Sequence, residues 1–79
     1  MNNQQKIYDW CDRRYMQTEE AYGLIVYRGK DRGQLIWTAS IKKWSKDFEE
    51  WIEIVENLRL GEGNTPEEAI AKLAKALGL

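Results

Sequence analysis

Histidine is missing altogether from this chain of 79 residues. With it goes the side chain most used for proton transfer near neutral pH. Ser-His and Cys-His nucleophile pairs go too, as do zinc sites that need imidazole. A single cysteine, Cys11, excludes a disulfide within the chain, so burial alone must hold the fold. No apolar run approaches the roughly 18 residues of a membrane span, so no membrane partner is expected. Met1–Lys6 lacks the apolar core of a signal peptide. With one cysteine and no export signal, the expected setting is a reducing cytoplasm. An excess of either charge is lacking as well. Twelve Lys and Arg against thirteen Asp and Glu leave a net charge of -1, so the molecule as a whole is no polycation seeking nucleic acid.

What is present fits one small globular domain spanning residues 1–79, with 43% of residues hydrophobic and 32% charged. A domain of this size buries only about 60–65% of its unfolded surface, so it needs large side chains in its core. Four Trp, four Tyr and one Phe supply them. They are too many for that core. Tyr8, Tyr15, Tyr22, Tyr27 and Trp44 cannot all be buried, and exposed Tyr and Trp are favoured interface anchors.

Periodicity gives the elements. On a helical wheel, Asn2–Gln17 gathers Ile7, Tyr8, Trp10, Cys11 and Tyr15 on one side, with Asn2 or Asn3 as cap. Ala21–Arg28 and Gln34–Lys43 read as two strands joined through Gly29-Lys30-Asp31-Arg32-Gly33, a hairpin loop that needs positive φ. Leu35, Trp37, Ala39 and Ile41 share the apolar face of the second strand and should meet the helices. Ser45–Leu60 has the strongest helical spacing, with Trp44, Phe48, Trp51, Ile52, Ile54, Val55 and Leu58 on one arc and Ser45 as cap. Trp51–Val55 also suits a strand, and a brief third strand at Asn57–Glu62 stays open. Thr65-Pro66-Glu67-Glu68 is a capping box that starts a last helix with the stripe Ile70, Leu73, Ala74, Leu77. Gly78 should end it in a left-handed turn, with Leu79 folding back. The expected fold class is α+β, in the order α-β-β-α-α, with an antiparallel hairpin packed against helices.

Little here carries chemistry. Glu49, Glu50, Glu53 and Glu56 share one flank of the expected middle helix and read as solvated rather than metal-binding. Cys11 reads as a buried small hydrophobe. Gly61-Glu62-Gly63 reads as the turn between helices rather than a phosphate loop. No catalytic residue, metal or cofactor is expected, and no enzyme activity. The charge layout says more. Arg28–Lys46 holds six bases (Arg28, Lys30, Arg32, Lys42, Lys43, Lys46) and one acid, whereas Asp47–Glu68 holds eight acids and one base, Arg59. Such a polarised surface suits a protein partner of complementary charge, or self-association as a homodimer. The basic hairpin beside Tyr27 and Trp37 also suits phosphate and base stacking in a nucleic acid.

The run Gly61-Glu62-Gly63-Asn64-Thr65-Pro66-Glu67-Glu68-Ala69-Ile70, with the helix it opens about the last quarter of the chain, is similar to the G-x-T-x-E-E-A turn of HicB-type antitoxin domains and small phage sandwich domains. Size and element order resemble small phage-encoded inhibitors of host defence, anti-CRISPR proteins among them. These resemblances imply a non-enzymatic module that binds a protein partner and acts by surface occlusion, or an antitoxin. The expected contact residues are Tyr27, Arg28, Lys30, Arg32, Lys42 and Lys43 on the hairpin, or Glu49, Glu50 and Glu53 on the acidic element.

Overall fold

The computed structural model describes residues 2–54 and 60–79. Its elements run α1 (Asn3–Thr18), β1 (Tyr22–Asp31), β2 (Gln34–Ser45), β3 (Glu50–Ile54), β4 (Leu60–Gly63) and α2 (Pro66–Ala76). The class is α+β as the composition and periodicity led one to expect, but the order is α-β-β-β-β-α. The long strand β2 is the spine. It pairs antiparallel with β1 along one edge, and with β4 and then β3 along the other.

Local chemistry sets the helix ends. The Asn2 carboxamide oxygen accepts from the Gln5 amide at 2.8 Å and starts α1. Glu19 closes it in the left-handed region at φ 60, its amide bonding to the Tyr15 carbonyl. At α2 the Thr65 hydroxyl accepts from the Glu68 amide at 3.1 Å, while the Glu68 carboxylate accepts from the Asn64 amide at 2.7 Å. The reciprocal bond thus reaches one residue further back than in a standard capping box. The helix stops as its residues require. Gly78 takes φ 81, and the Gly78 and Leu79 amides bond back to the Lys75 and Ala74 carbonyls.

The β1–β2 hairpin is tighter than a five-residue loop. Strand pairing continues to Asp31 opposite Gln34, so only Arg32 and Gly33 turn, both at positive φ (52 and 81). Two-residue turns of this hand match the twist of the strands. Gly29 therefore lies inside a strand, opposite Ile36.

The helix expected over Ser45–Leu60 does not form where the structure describes it. Residues 50–54 make β3, with Trp51 opposite Trp44, Glu53 opposite Lys42 and Ile54 opposite Ile41. A helix would satisfy its own backbone but leave the far half of β2 without a partner on that edge. Aromatic and β-branched residues fit the pleated surface instead. The cap read at Ser45 is a real local bond: its hydroxyl accepts from the Phe48 amide at 3.3 Å. It closes a reversing turn, in which Glu49 takes φ 52, rather than a helix. Gly61-Glu62-Gly63 is not a turn between helices. It lies in β4, where a Cβ on Gly61 would collide with the Ala69 carbonyl and the Leu73 amide. Glycine is what lets α2 rest on that strand. The expectations for residues 55–59, including the helical face of Val55, Glu56 and Leu58, lie outside the described residues.

Both helices cover one face of the sheet. Alternation along β2 sends Ala39 and Ile41 into that layer, where they join Ile7 and Cys11 of α1 and Ala69, Leu73 and Ala74 of α2 in a core of small and aliphatic side chains. Trp10, Tyr22 and Trp37 pack on its margin rather than filling it. Two positions read as inward on α1, Tyr8 and Tyr15, are exposed, as is Leu35 near the tip of the hairpin.

Candidate interaction surface

No described helix covers the other face of the sheet. Strand alternation puts Gly23, Ile25, Tyr27 and Gly29 of β1 there, with Ile36, Thr38, Ser40, Lys42 and Trp44 of β2, Trp51 and Glu53 of β3, and Leu60 and Glu62 of β4. The residue types follow the pleat. On β2 the polar Thr38 and Ser40 alternate with Trp37, Ala39 and Ile41, which face the helices.

Aromatic rings dominate one end of this face. Trp44 and Trp51 sit opposite each other across β2 and β3, edge to face, with centroids 5.6 Å apart. They remain 36% and 45% exposed, despite their size. The Lys42 ammonium lies 4.9 Å from the centre of the Trp51 ring. Its stem runs beside Gly23, whose missing side chain leaves the space. Phe48 stands exposed on the turn that links the two tryptophan strands.

Tyr27 organises the middle. Its hydroxyl donates to the Glu53 carboxylate at 3.0 Å. Tyr27 pairs with Thr38 and Glu53 pairs with Lys42, so the ring must cross β2 over Ser40, which lies between them on this face. That crossing accounts for Ser40 and Thr38 being buried on a face that no described helix covers. Burial, then the bond to Glu53, raises the Tyr27 phenol above its ordinary pKa. Among the described residues the Ser40 hydroxyl is the one buried side-chain polar group without a hydrogen-bond partner.

The contact residues read from the sequence are divided among separate places. Tyr27, Lys42 and Glu53 come together on the helix-free face. Arg28 and Lys30 belong to the opposite face, and the Arg28 guanidinium lies over Trp37 at 5.2 Å. Arg32 is at the hairpin tip. Lys43 pairs with Glu20 at 3.2 Å, where the Tyr22 hydroxyl also donates to that carboxylate. Both contacts pull the Glu20 carboxyl below the usual range. Glu49 is in a turn, and Glu50 faces away from Glu53. The acidic flank expected of a helix is therefore not one surface, and Glu56 is outside the described residues.

Beside this region, a depression of about 570 Å³ lies between the end of α1 and the end of β2, lined by Tyr15, Thr18, Glu20, Lys43, Trp44 and Lys46. Among the described residues no group of His, Cys, Asp or Glu could hold a metal ion. No described helix is long and apolar enough to cross a membrane. Trp51, Ile25, Thr38 and Ser40 of this face are not among the contact residues expected from the sequence. Alternation over Trp51-Ile52-Glu53-Ile54, and the small polar residues in β2, were the signals that could have found them. No family model, curated protein or solved structure matches the chain.

Proposed function

We propose that this protein is a non-enzymatic binding module that grips a protein partner with the helix-free face of its sheet and acts by occluding the partner's surface. The observation that carries the reading is the exposed Trp44–Trp51 pair on a face that no described helix covers. Large rings held rigidly by a sheet supply contact area at little entropic cost, and such residues dominate binding energy at interfaces. The charges around them favour a protein over a nucleic acid. Lys42 is the one cation on the described part of this face, and Glu53 and Glu62 accompany it. A phosphate backbone would meet more acid than base, whereas a polypeptide with mixed polar groups fits.

The test places a photo-crosslinking amino acid at Ile25 or Trp51, and at Asp12 on the helix layer as control. A discrete protein adduct from the sheet positions and none from Asp12 is expected. With that partner purified, Trp51→Ala should weaken binding at least tenfold, or about 1.4 kcal/mol. Adducts from the helix layer alone would overturn the reading. So would saturable binding of single-stranded nucleic acid that falls steeply with salt and is lost in Lys42→Glu.

A further inference from the structure

We propose that the outer edge of β1 pairs antiparallel with the same edge of a second copy, joining two sheets across a two-fold axis. The inference rests on the strand's edge and its charges, and does not depend on what binds the helix-free face.

The hydrogen-bond phase of the hairpin shows which backbone groups are free to pair. The Trp44 amide donates to the Ala21 carbonyl at 3.0 Å, so Ala21 and Trp44 are a bonded pair. Alternation from there turns the amides and carbonyls of Gly23, Ile25, Tyr27, Gly29 and Asp31 toward β2. Those of Tyr22, Leu24, Val26, Arg28 and Lys30 point outward. β1 lies at the end of the sheet, with no described strand beyond it.

Natural sheets protect such edges with prolines, bulges, short strands, charged side chains or a covering element. β1 has none of the first three. It pairs with β2 through ten consecutive residues without interruption, and contains no proline. The opposite edge of the sheet is protected. There β3 has five residues and β4 four. The contrast marks the β1 edge as one kept available.

Charge selects the occupant. Glu19 and Glu20 precede the strand, while Arg28, Lys30 and Arg32 occupy its far end and the turn. Only outward residues can exchange hydrogen bonds across the new ladder. With Val26 on the axis, Leu24 faces the partner's Arg28, Tyr22 faces the partner's Lys30 and Glu20 faces the partner's Arg32. The two-fold repeats each contact, so both ends gain opposite charges. A parallel arrangement would place Arg28 and Lys30 against themselves, and like charges side by side disfavour it. The pairing is closed and self-limiting, because each copy spends the one long free edge among its described strands. It also sets the two helix-free faces side by side in one continuous surface.

Sedimentation equilibrium of the purified chain should give twice the monomer mass at high micromolar concentration. Hydrogen exchange at the Tyr22, Leu24, Val26, Arg28 and Lys30 amides should slow at least tenfold as the dimer fills. Lys30→Glu with Arg32→Glu should return the mass to that of the monomer, as should Glu19→Lys with Glu20→Lys. Near-ultraviolet circular dichroism checks that each variant is folded. Mixing the two variants restores opposite charges at both ends and should restore the dimer mass. A chain that stays monomeric, with those five amides exchanging freely at every concentration, overturns the inference. A dimer that survives both charge variants but is lost in Trp44→Ala with Trp51→Ala overturns it as well, and assigns self-association to the helix-free face.

Discussion

Cys11 illustrates how a single buried atom shapes the response to pH. Its thiol is nearly covered among Ile7, Leu73 and the other core residues. Burial first, then the neighbouring Asp12 carboxylate, pushes its pKa from 9.0 up to about 11. In the unfolded chain the thiol ionises near its ordinary value. Between those pH values the folded state holds more protons than the unfolded one. Stability from this group is therefore complete below pH 9.0 and declines as pH rises toward about 11. The whole decline is of order 2–3 kcal/mol. Urea unfolding near pH 8 and again near pH 10 should show a smaller loss in Cys11→Ala than in the parent chain, although the variant starts less stable because of its cavity. Gly61 makes the complementary case, in which an absent atom matters. Its missing side chain lets the Ala69 carbonyl and Leu73 amide of α2 approach β4. Gly61→Ala should cost about 3 kcal/mol or more, since backbone rather than a flexible side-chain end must move. Gly33→Ala meets nothing within 4 Å and tests φ alone, so it should cost less. Chemical denaturation of the pair separates steric from conformational demand.

Elements whose signals are local were legible, and those that depend on distant pairing were not. The caps at Asn2 and Thr65, the stripe of α2 and the Gly78 terminus are written in neighbouring residues, and each forms as read. Thr65→Ala should accordingly destabilise by about 1 kcal/mol, measurable as a shift in the urea midpoint. The stretch from Trp44 to Leu58 is different. Its apolar residues satisfy a helical period, while Trp51-Ile52-Glu53-Ile54 also satisfies the two-residue period of a strand. What decides is not in that stretch at all. The far half of β2 has β1 on one side only, and Ile41–Ser45 gains a second partner only if residues 50–54 extend. The same blindness split the expected acidic flank, since faces of a strand and of a helix gather different residues. The turns show what the sheet requires of ill-suited residues. Arg32 and Glu49 are held in the left-handed region, which costs an ordinary side chain roughly 1 kcal/mol. Arg32→Asn makes the Asn-Gly pair that such turns prefer. It should raise the thermal midpoint by about 3 °C or more, and calorimetry checks the sign.

At the scale of the whole molecule the decisive fact is that the described residues form two layers, not three. The narrowest principal dimension is 17 Å, against 37 and 32 Å for the others. That thickness holds one sheet and one layer of helices. The role of each of the three strand tryptophans follows from which layer it faces. Trp37 looks toward the helices, packs on the core and carries the Arg28 guanidinium. Trp44 and Trp51 look the other way, their rings set edge to face, with Lys42 over Trp51. If the exposed pair were structural, removing it should damage the fold as much as removing a core ring. Rings that face away from the helix layer should show the opposite ordering. Trp37→Ala should cost about 3 kcal/mol. Trp44→Thr, which keeps a residue suited to a strand and removes one cross-strand ring contact, should cost about 1 kcal/mol. Urea unfolding of the two variants at one protein concentration, with equal slopes, measures this ordering directly. Equal losses would mean that the helix-free face is a second core surface, with something within the chain covering it. The expected inequality would instead show that the domain gains little from the two exposed tryptophans, as a contact outside the fold requires.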